Sequence, residues 1–171
     1  YSSAATGKTI CLSDIYIHGM AKKAGETVEN QTATITYAFD KGNEGQTGTY
    51  NEGGESWFKN NYVEVGPTLA YAGVKSAGGV KGTGFQPSVS NEGSANQGNR
   101  IDFAIQPKNG LYFIPTKVSF QTTRHGTDGG KVDVSWVSSD GTITSLKKGI
   151  SPARNNAADP VTNVTCDITG A

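Results

Sequence analysis

The feature that most constrains this chain is an alternation of apolar and polar residues, repeated in short runs that Gly, Asn and Asp interrupt. Ile15 and Ile17 alternate with Tyr16 and His18, and Ile35, Tyr37 and Phe39 alternate with Thr34, Thr36 and Ala38. The period returns at Ile101, Phe103 and Ile105, at Val118 and Phe120, at Val132, Val134 and Trp136, and at Val164, Cys166 and Ile168. Side chains two apart share a face of a strand, so each run offers one face to a core and one to water. That is the pattern of half-buried antiparallel strands. Turn chemistry separates the runs at Lys108-Asn109-Gly110, at Asp128-Gly129-Gly130 and at Asp140-Gly141, the last a tight hairpin turn. Met20–Val28 hints at a helical turn, which Gly25 weakens. Lys41–Glu55, Lys75–Gly84 and Ser88–Asn99 read as loops longer than the scaffold needs, of the functional or mobile kind. The expected fold is all-β, an antiparallel β-sandwich of jelly-roll type.

Composition narrows the class. Residues 1–171 suit a single domain, with the alternation stopping at Gly170-Ala171 short of a closing strand, so a C-terminal truncation is expected. Hydrophobic residues make up 35% and charged residues 18%, and 23 glycines fill much of the difference, which excludes a helical bundle or coiled coil. Lys+Arg 15 balances Asp+Glu 15, so the electrostatic footprint of a nucleic-acid binder is missing. No apolar run approaches the roughly 18–20 residues of a membrane-spanning helix, and no membrane insertion is expected. A start at Tyr1 suggests a processed or excised piece, and scarce Met and Cys beside abundant Gly, Thr and Asn suit a secreted or cell-surface protein. Cys11 and Cys166 either close one long disulfide loop or pack as two buried thiols in strands.

Catalytic chemistry is poorly signalled. The chain has two histidines, His18 and His125, and none of the H-E-x-x-H, G-x-S-x-G or P-loop motifs. Its carboxylates are scattered, with Asp102 and Asp133 on polar strand faces and Glu44, Glu52, Glu55 and Glu92 in loops. A glycosidase needs two of them converging on one cleft. No catalytic residue is assigned. Asp128, or Asp40 with Asn43 and Glu44, could join backbone carbonyls around a structural Ca²⁺, against the plainer reading of turn chemistry.

The aromatics carry more. A sugar ring packs its C–H face on an aromatic ring, and its hydroxyls take planar polar partners. Trp57, followed by Asn60 and Tyr62, stands beside a Gly-rich stretch and fits that need, although Trp57 also shares parity with Val63 and Val65 and fits a core. Trp136 continues the apolar face of its run and reads as core. Tyr16 and His18 lie on the polar face of an early strand, Gln121 and Thr123 on that of a later one, with Arg124 and His125 at its end. If the two strands share a sheet, these side chains form a shallow polar platform; otherwise they are an ordinary solvated face. Arg124 offers planar donors to paired hydroxyls, or caps the loop that follows it.

Asn99–Gly110, Phe113–Phe120 and Thr123–Lys131 resemble the non-catalytic β-sandwich modules attached to plant-polysaccharide-degrading enzymes of gut and rumen Bacteroidetes. The resemblance implies a carbohydrate-binding module, not itself an enzyme. Such a module targets a covalently linked glycoside hydrolase to plant cell-wall polysaccharide of β-1,4-glucan or xylan type. Its motifs are scaffold, and they transfer no binding residues. The expected ligand-binding set is therefore the one read from the residues, Trp57, Tyr16, His18, Asn60, Tyr62, Gln121 and Arg124, on a monomer. The alternative is a structural spacer or an adhesin-like protein-interaction domain.

Overall fold

The alternating runs are strands in the computed structural model, which describes residues 9–25, 31–39, 48–50, 58, 61–87, 99–127 and 130–169. In chain order these are β1 (Thr9–Leu12), β2 (Ile15–Lys23), β3 (Gln31–Tyr37), β4 (Gly48–Tyr50), β5 (Tyr62–Val65), β6 (Leu69–Ala77) and β7 (Val80–Pro87). They continue as β8 (Ile101–Ala104), β9 (Leu111–His125), β10 (Val132–Val137), β11 (Ile143–Ile150), β12 (Ala153–Arg154) and β13 (Thr162–Asp167). The fold is all-β, and the strand pairs are antiparallel except for the short β12–β9 pair.

The long strand β9 organises the main sheet. Along one side β1 and β2 follow each other, Thr9–Leu12 opposite Thr122–His125 and Tyr16–Lys23 opposite Leu111–Ser119. Along the other side β13 pairs with Lys117–Thr122 and β12 with Thr123–Arg124. Beyond β1 come β7 and β6, whereas beyond β2 come β3 and β4. The sheet therefore forks at Ser13–Asp14.

Backbone groups at the fork still need partners, and side chains supply them. Ser13 N–H donates to the Gln121 carbonyl at 3.0 Å, while the Ser13 hydroxyl accepts from Gln121 N–H at 3.1 Å. Asp14 Oδ1 accepts from Phe39 N–H at 3.1 Å and ties the end of β3 to the fork. The Thr83 hydroxyl on β7 donates to the Phe39 carbonyl at 2.8 Å, so both arms meet at that residue.

One parity faces inward throughout. Ile15, Ile17, Ile35, Tyr37, Phe39, Val118, Phe120, Val164 and Cys166 form a core with Ile10, Leu12 and Phe85 from the other arm. The separate ribbon β5–β8 lies against it, with the Tyr37 hydroxyl donating to the Ala104 carbonyl at 2.7 Å and Phe103 set edge-on to Tyr37 and Phe39. From the β10–β11 hairpin, Val132, Val134 and Leu146 pack on the core, together with Trp136 as its parity predicts. Its turn is the expected Asp140-Gly141, where hydrogen bonds from Ser138 and Thr142 hold the Asp140 carboxyl down at about 2.

Two expectations are corrected here. Lys75–Gly84 is no loop: it is the end of β6, a Gly78-Gly79 turn and the start of β7. Gly78 and Gly79 take the positive φ of the turn, whereas Gly82 and Gly84 answer to close approach, since a Cβ on Gly82 would overlap the Leu12 carbonyl. The helical hint at Met20–Val28 is likewise overridden, because β2 runs on to Lys23 and turns at Ala24-Gly25. Most of Lys41–Glu55 and Ser88–Asn99 lies outside the described residues.

The cysteines are free and buried. Cys11 pairs with Thr123 and Cys166 with Val118, on opposite sides of β9 and five positions apart. That is about 17 Å at roughly 3.3 Å per residue, beyond the ~4.4–6.8 Å between Cα atoms that a disulfide spans. Burial pushes the Cys11 thiol up to about 11 and raises that of Cys166. At pH 8 both are thiols, which are poor nucleophiles. A disulfide-exchange reagent at that pH should leave the native protein unlabelled and label both cysteines once guanidinium unfolds it; no labelling after unfolding would contradict this register.

Candidate functional site

The outward face of the β3–β2–β9–β13 sheet is built by cross-strand rows. Thr36, Tyr16, Ser119 and Thr165 form one row, and Thr34, His18, Lys117 and Asp167 form the next. Gln121 and Asn163 face each other in a third. Residues directly opposite on antiparallel strands share a face, so these side chains stand together on the side away from the core.

At the fork this face deepens into a depression of about 450 Å³. That lies within the ~300–1,000 Å³ typical of small-ligand sites. Its floor is Tyr16, Ser119, Gln121, Asn163 and Thr165; Asp14 borders it on one side, and Val80 and Lys81 border it from β7. Tyr16 is 38% exposed, and its hydroxyl donates to Asp14 Oδ2 at 3.3 Å. Burial and the neighbouring Asp14 raise the pKa of that phenol, so it stays protonated and a donor at neutral pH. The Gln121 side-chain amide donates to Asn163 Oδ1 at 2.8 Å, which ties the two amides together.

His18 is the next rung. Its ring lies 6.4 Å from that of Tyr16, at an interplanar angle of 21°. The His18 Nδ1 shares a hydrogen bond with Thr34 Oγ1 at 3.0 Å, and Nε2 shares one with Ser119 Oγ at 3.4 Å. Strand pairing thus holds the His18 ring nearly parallel to that of Tyr16, one row beyond the depression. Chemically the site offers an aromatic face, two coupled amides and several hydroxyls, with Asp14 and Lys81 at its border.

The structure brings together Tyr16, His18 and Gln121 from the expected ligand-binding set. Tyr62 stands elsewhere, half exposed on the β5–β8 ribbon. Arg124 caps a loop: its Nε donates to the Pro152 carbonyl at 3.0 Å and Nη1 to the Thr127 carbonyl at 3.1 Å. Thr123 is 5% exposed and donates to the Ala153 carbonyl at 3.1 Å, so the polar platform stops before it. Trp57, Asn60 and Asp128 lie outside the described residues, among which no group of three His, Cys, Asp or Glu could hold a metal ion.

Asn163, Thr165, Asp14 and Lys81 are additions to the expected set. The first two keep the polar parity of the Val164–Ile168 alternation, a signal that marks a face without saying which strand lies beside it. Asp14 falls where the alternation breaks, and Lys81 in a stretch that reads as loop. The chain matches no known family model, no curated protein and no solved structure.

Since Arg124 ties two carbonyls, its truncation should register as lost stability. Arg124→Ala is expected to lower the unfolding free energy by about 1–2 kcal/mol in a denaturant titration. The environment of Tyr16 and His18, followed through their aromatic proton resonances, should not change; displaced resonances would put Arg124 within the site.

Proposed function

We propose that this chain is a carbohydrate-binding module that holds a covalently linked glycoside hydrolase on plant cell-wall polysaccharide of β-1,4-glucan or xylan type. In this reading it is a secreted monomer, and its curled sheet and ribbon belong to a jelly-roll sandwich. The observation that carries the reading is the depression itself, where a half-exposed tyrosine lies beside the paired amides of Gln121 and Asn163. An aromatic face takes the C–H face of a sugar, and neighbouring amides and hydroxyls take its hydroxyl groups.

The state of Asp14 favours binding over hydrolysis. Its two oxygens accept from Phe39 N–H and the Tyr16 hydroxyl, so this carboxylate serves as a strut between elements. Hydrolysis of a glycosidic bond requires a pair of carboxyl groups about 5–9.5 Å apart flanking it. A shallow site of this composition binds weakly, and weak binding suffices for a tethered module because tethering sets a high effective concentration at the substrate.

Native electrophoresis through gels containing soluble glucans and xylans tests the reading. Retardation by one of them is expected, with Tyr16→Ala weakening the apparent affinity by about tenfold, or ~1.4 kcal/mol. Tyr16 is a surface residue, and circular dichroism should report an intact fold in the variant. No retardation by any soluble polysaccharide would overturn the reading. It would turn attention to protein docking, for which the exposed Val137 and Ile143 pair at the tip of the β10–β11 hairpin offers an apolar surface.

A further inference from the structure

Resting on the glycan reading above, we infer that the depression receives the end of a polysaccharide chain and not its middle. The reason is a wall at one end of the strand face. Cys11 and Thr123 continue the outward parity of Ser13 and Gln121 by one more cross-strand pair. They are nevertheless 4% and 5% exposed. Ala77 and Val80, from the β6–β7 hairpin, and Val161 lie over them.

The wall is tight. The space remaining between it and the strands is about 10 Å³. A single water needs ~10–15 Å³ by the same kind of measure. Gly78 at the hairpin tip abuts Pro160 and Val161, where an added Cβ would sit 3.0 Å from Pro160 Cγ and 3.2 Å from Val161 Cγ2. Within two positions of β9, from Gln121 to Thr123, the open face therefore gives way to packed protein. A ribbon of sugars lying along the strands stops there.

In the opposite direction the face stays open. Past the Lys117–His18 row come Met20 beside Ile114, then Lys22 beside Tyr112. Ile114 is 40% exposed and Tyr112 61%. Tyr112 stands level with Lys22, six positions from Tyr16 along β2, or about 20 Å at roughly 3.3 Å per residue. The exposed apolar groups that a sugar ring can pack on thus line up along the strands. The row across them offers the hydroxyls of Ser119 and Thr165 beside Tyr16.

The charge balance fits a neutral chain. Lys117 faces Asp167 across β9 and β13, and Lys81 and Asp14 both border the depression. The terminal sugar sits against the Val80–Lys81 wall over Tyr16, and the body of the chain trails toward Tyr112.

Stoichiometry separates an end-binding site from an internal one. Calorimetric titrations with linear β-1,4-gluco- and xylo-oligosaccharides of increasing length, and with a soluble linear polysaccharide of known chain length, would count proteins per chain. One protein per chain at every length is expected, with affinity per chain levelling off once the chain spans Tyr16 to Tyr112. Tyr112→Ala should then weaken binding of the longer chains severalfold and leave the shortest unchanged. A count that rises in proportion to chain length would overturn end binding while leaving the glycan reading standing. Absence of binding by every one of these probes would overturn both.

Discussion

The structure depends on how β9 keeps its hydrogen bonds while its partner changes. A strand of 15 residues carries N–H and C=O groups on both edges, and β9 pairs with β1 and β2 along one side and, from Lys117 to Arg124, with β13 and β12 along the other. The hand-over from β1 to β2 would leave an unpaired step. Ser13 closes it by exchanging bonds with Gln121 through both backbone and hydroxyl. Because the step is closed, the chain can bend there and send β7 and β3 in different directions without leaving orphaned groups in the interior. Asp14 then fastens the β3 arm through Phe39, and Thr83 fastens the β7 arm to the same residue.

The candidate site is a consequence of that fork. Where the arms part, the outward face of β2, β9 and β13 is exposed between them, and its hydroxyls and amides form the floor of a depression instead of a flat sheet surface. The β6–β7 hairpin then covers the next pair of the same face, burying Cys11 and Thr123. One residue, Asp14, works on both sides of the boundary, accepting from a core backbone N–H and from the phenol that borders the groove. Stability and surface chemistry are therefore coupled at this point. Changes at Tyr16 act at the surface, whereas changes at Ser13 act on the fold.

Much of the architecture was legible in local pattern. The alternation around Val118, Val132 and Val164 marked strands and their inward faces, and Asp140-Gly141 and Lys108-Asn109-Gly110 marked turns that the structure contains. Long-range facts were not legible. Gln121 and Asn163 are 42 residues apart, and nothing in either run states that they face each other. Lys75–Gly84 misled because glycine signals loops in a sequence, whereas here Gly82 and Gly84 admit the close approach of Leu12 and Thr9. Thr123 had the right parity for the platform and Arg124 stood at its end, but a short parallel strand far along the chain, Ala153–Arg154, pairs there and takes the Thr123 hydroxyl, while Arg124 turns to the Pro152 and Thr127 carbonyls. Tertiary covering of this kind leaves no trace in the period of the strand it covers.

The most direct test is a titration of the labelled protein with a soluble β-1,4-linked oligosaccharide, following backbone amide resonances. The largest shifts are predicted at Asp14, Tyr16, Ser119, Gln121, Asn163 and Thr165, fading along β2 and β9 toward Tyr112. Shifts concentrated on the β5–β8 ribbon or at the tip of the β10–β11 hairpin would contradict this placement, and a spectrum unchanged at saturating sugar would contradict glycan binding itself.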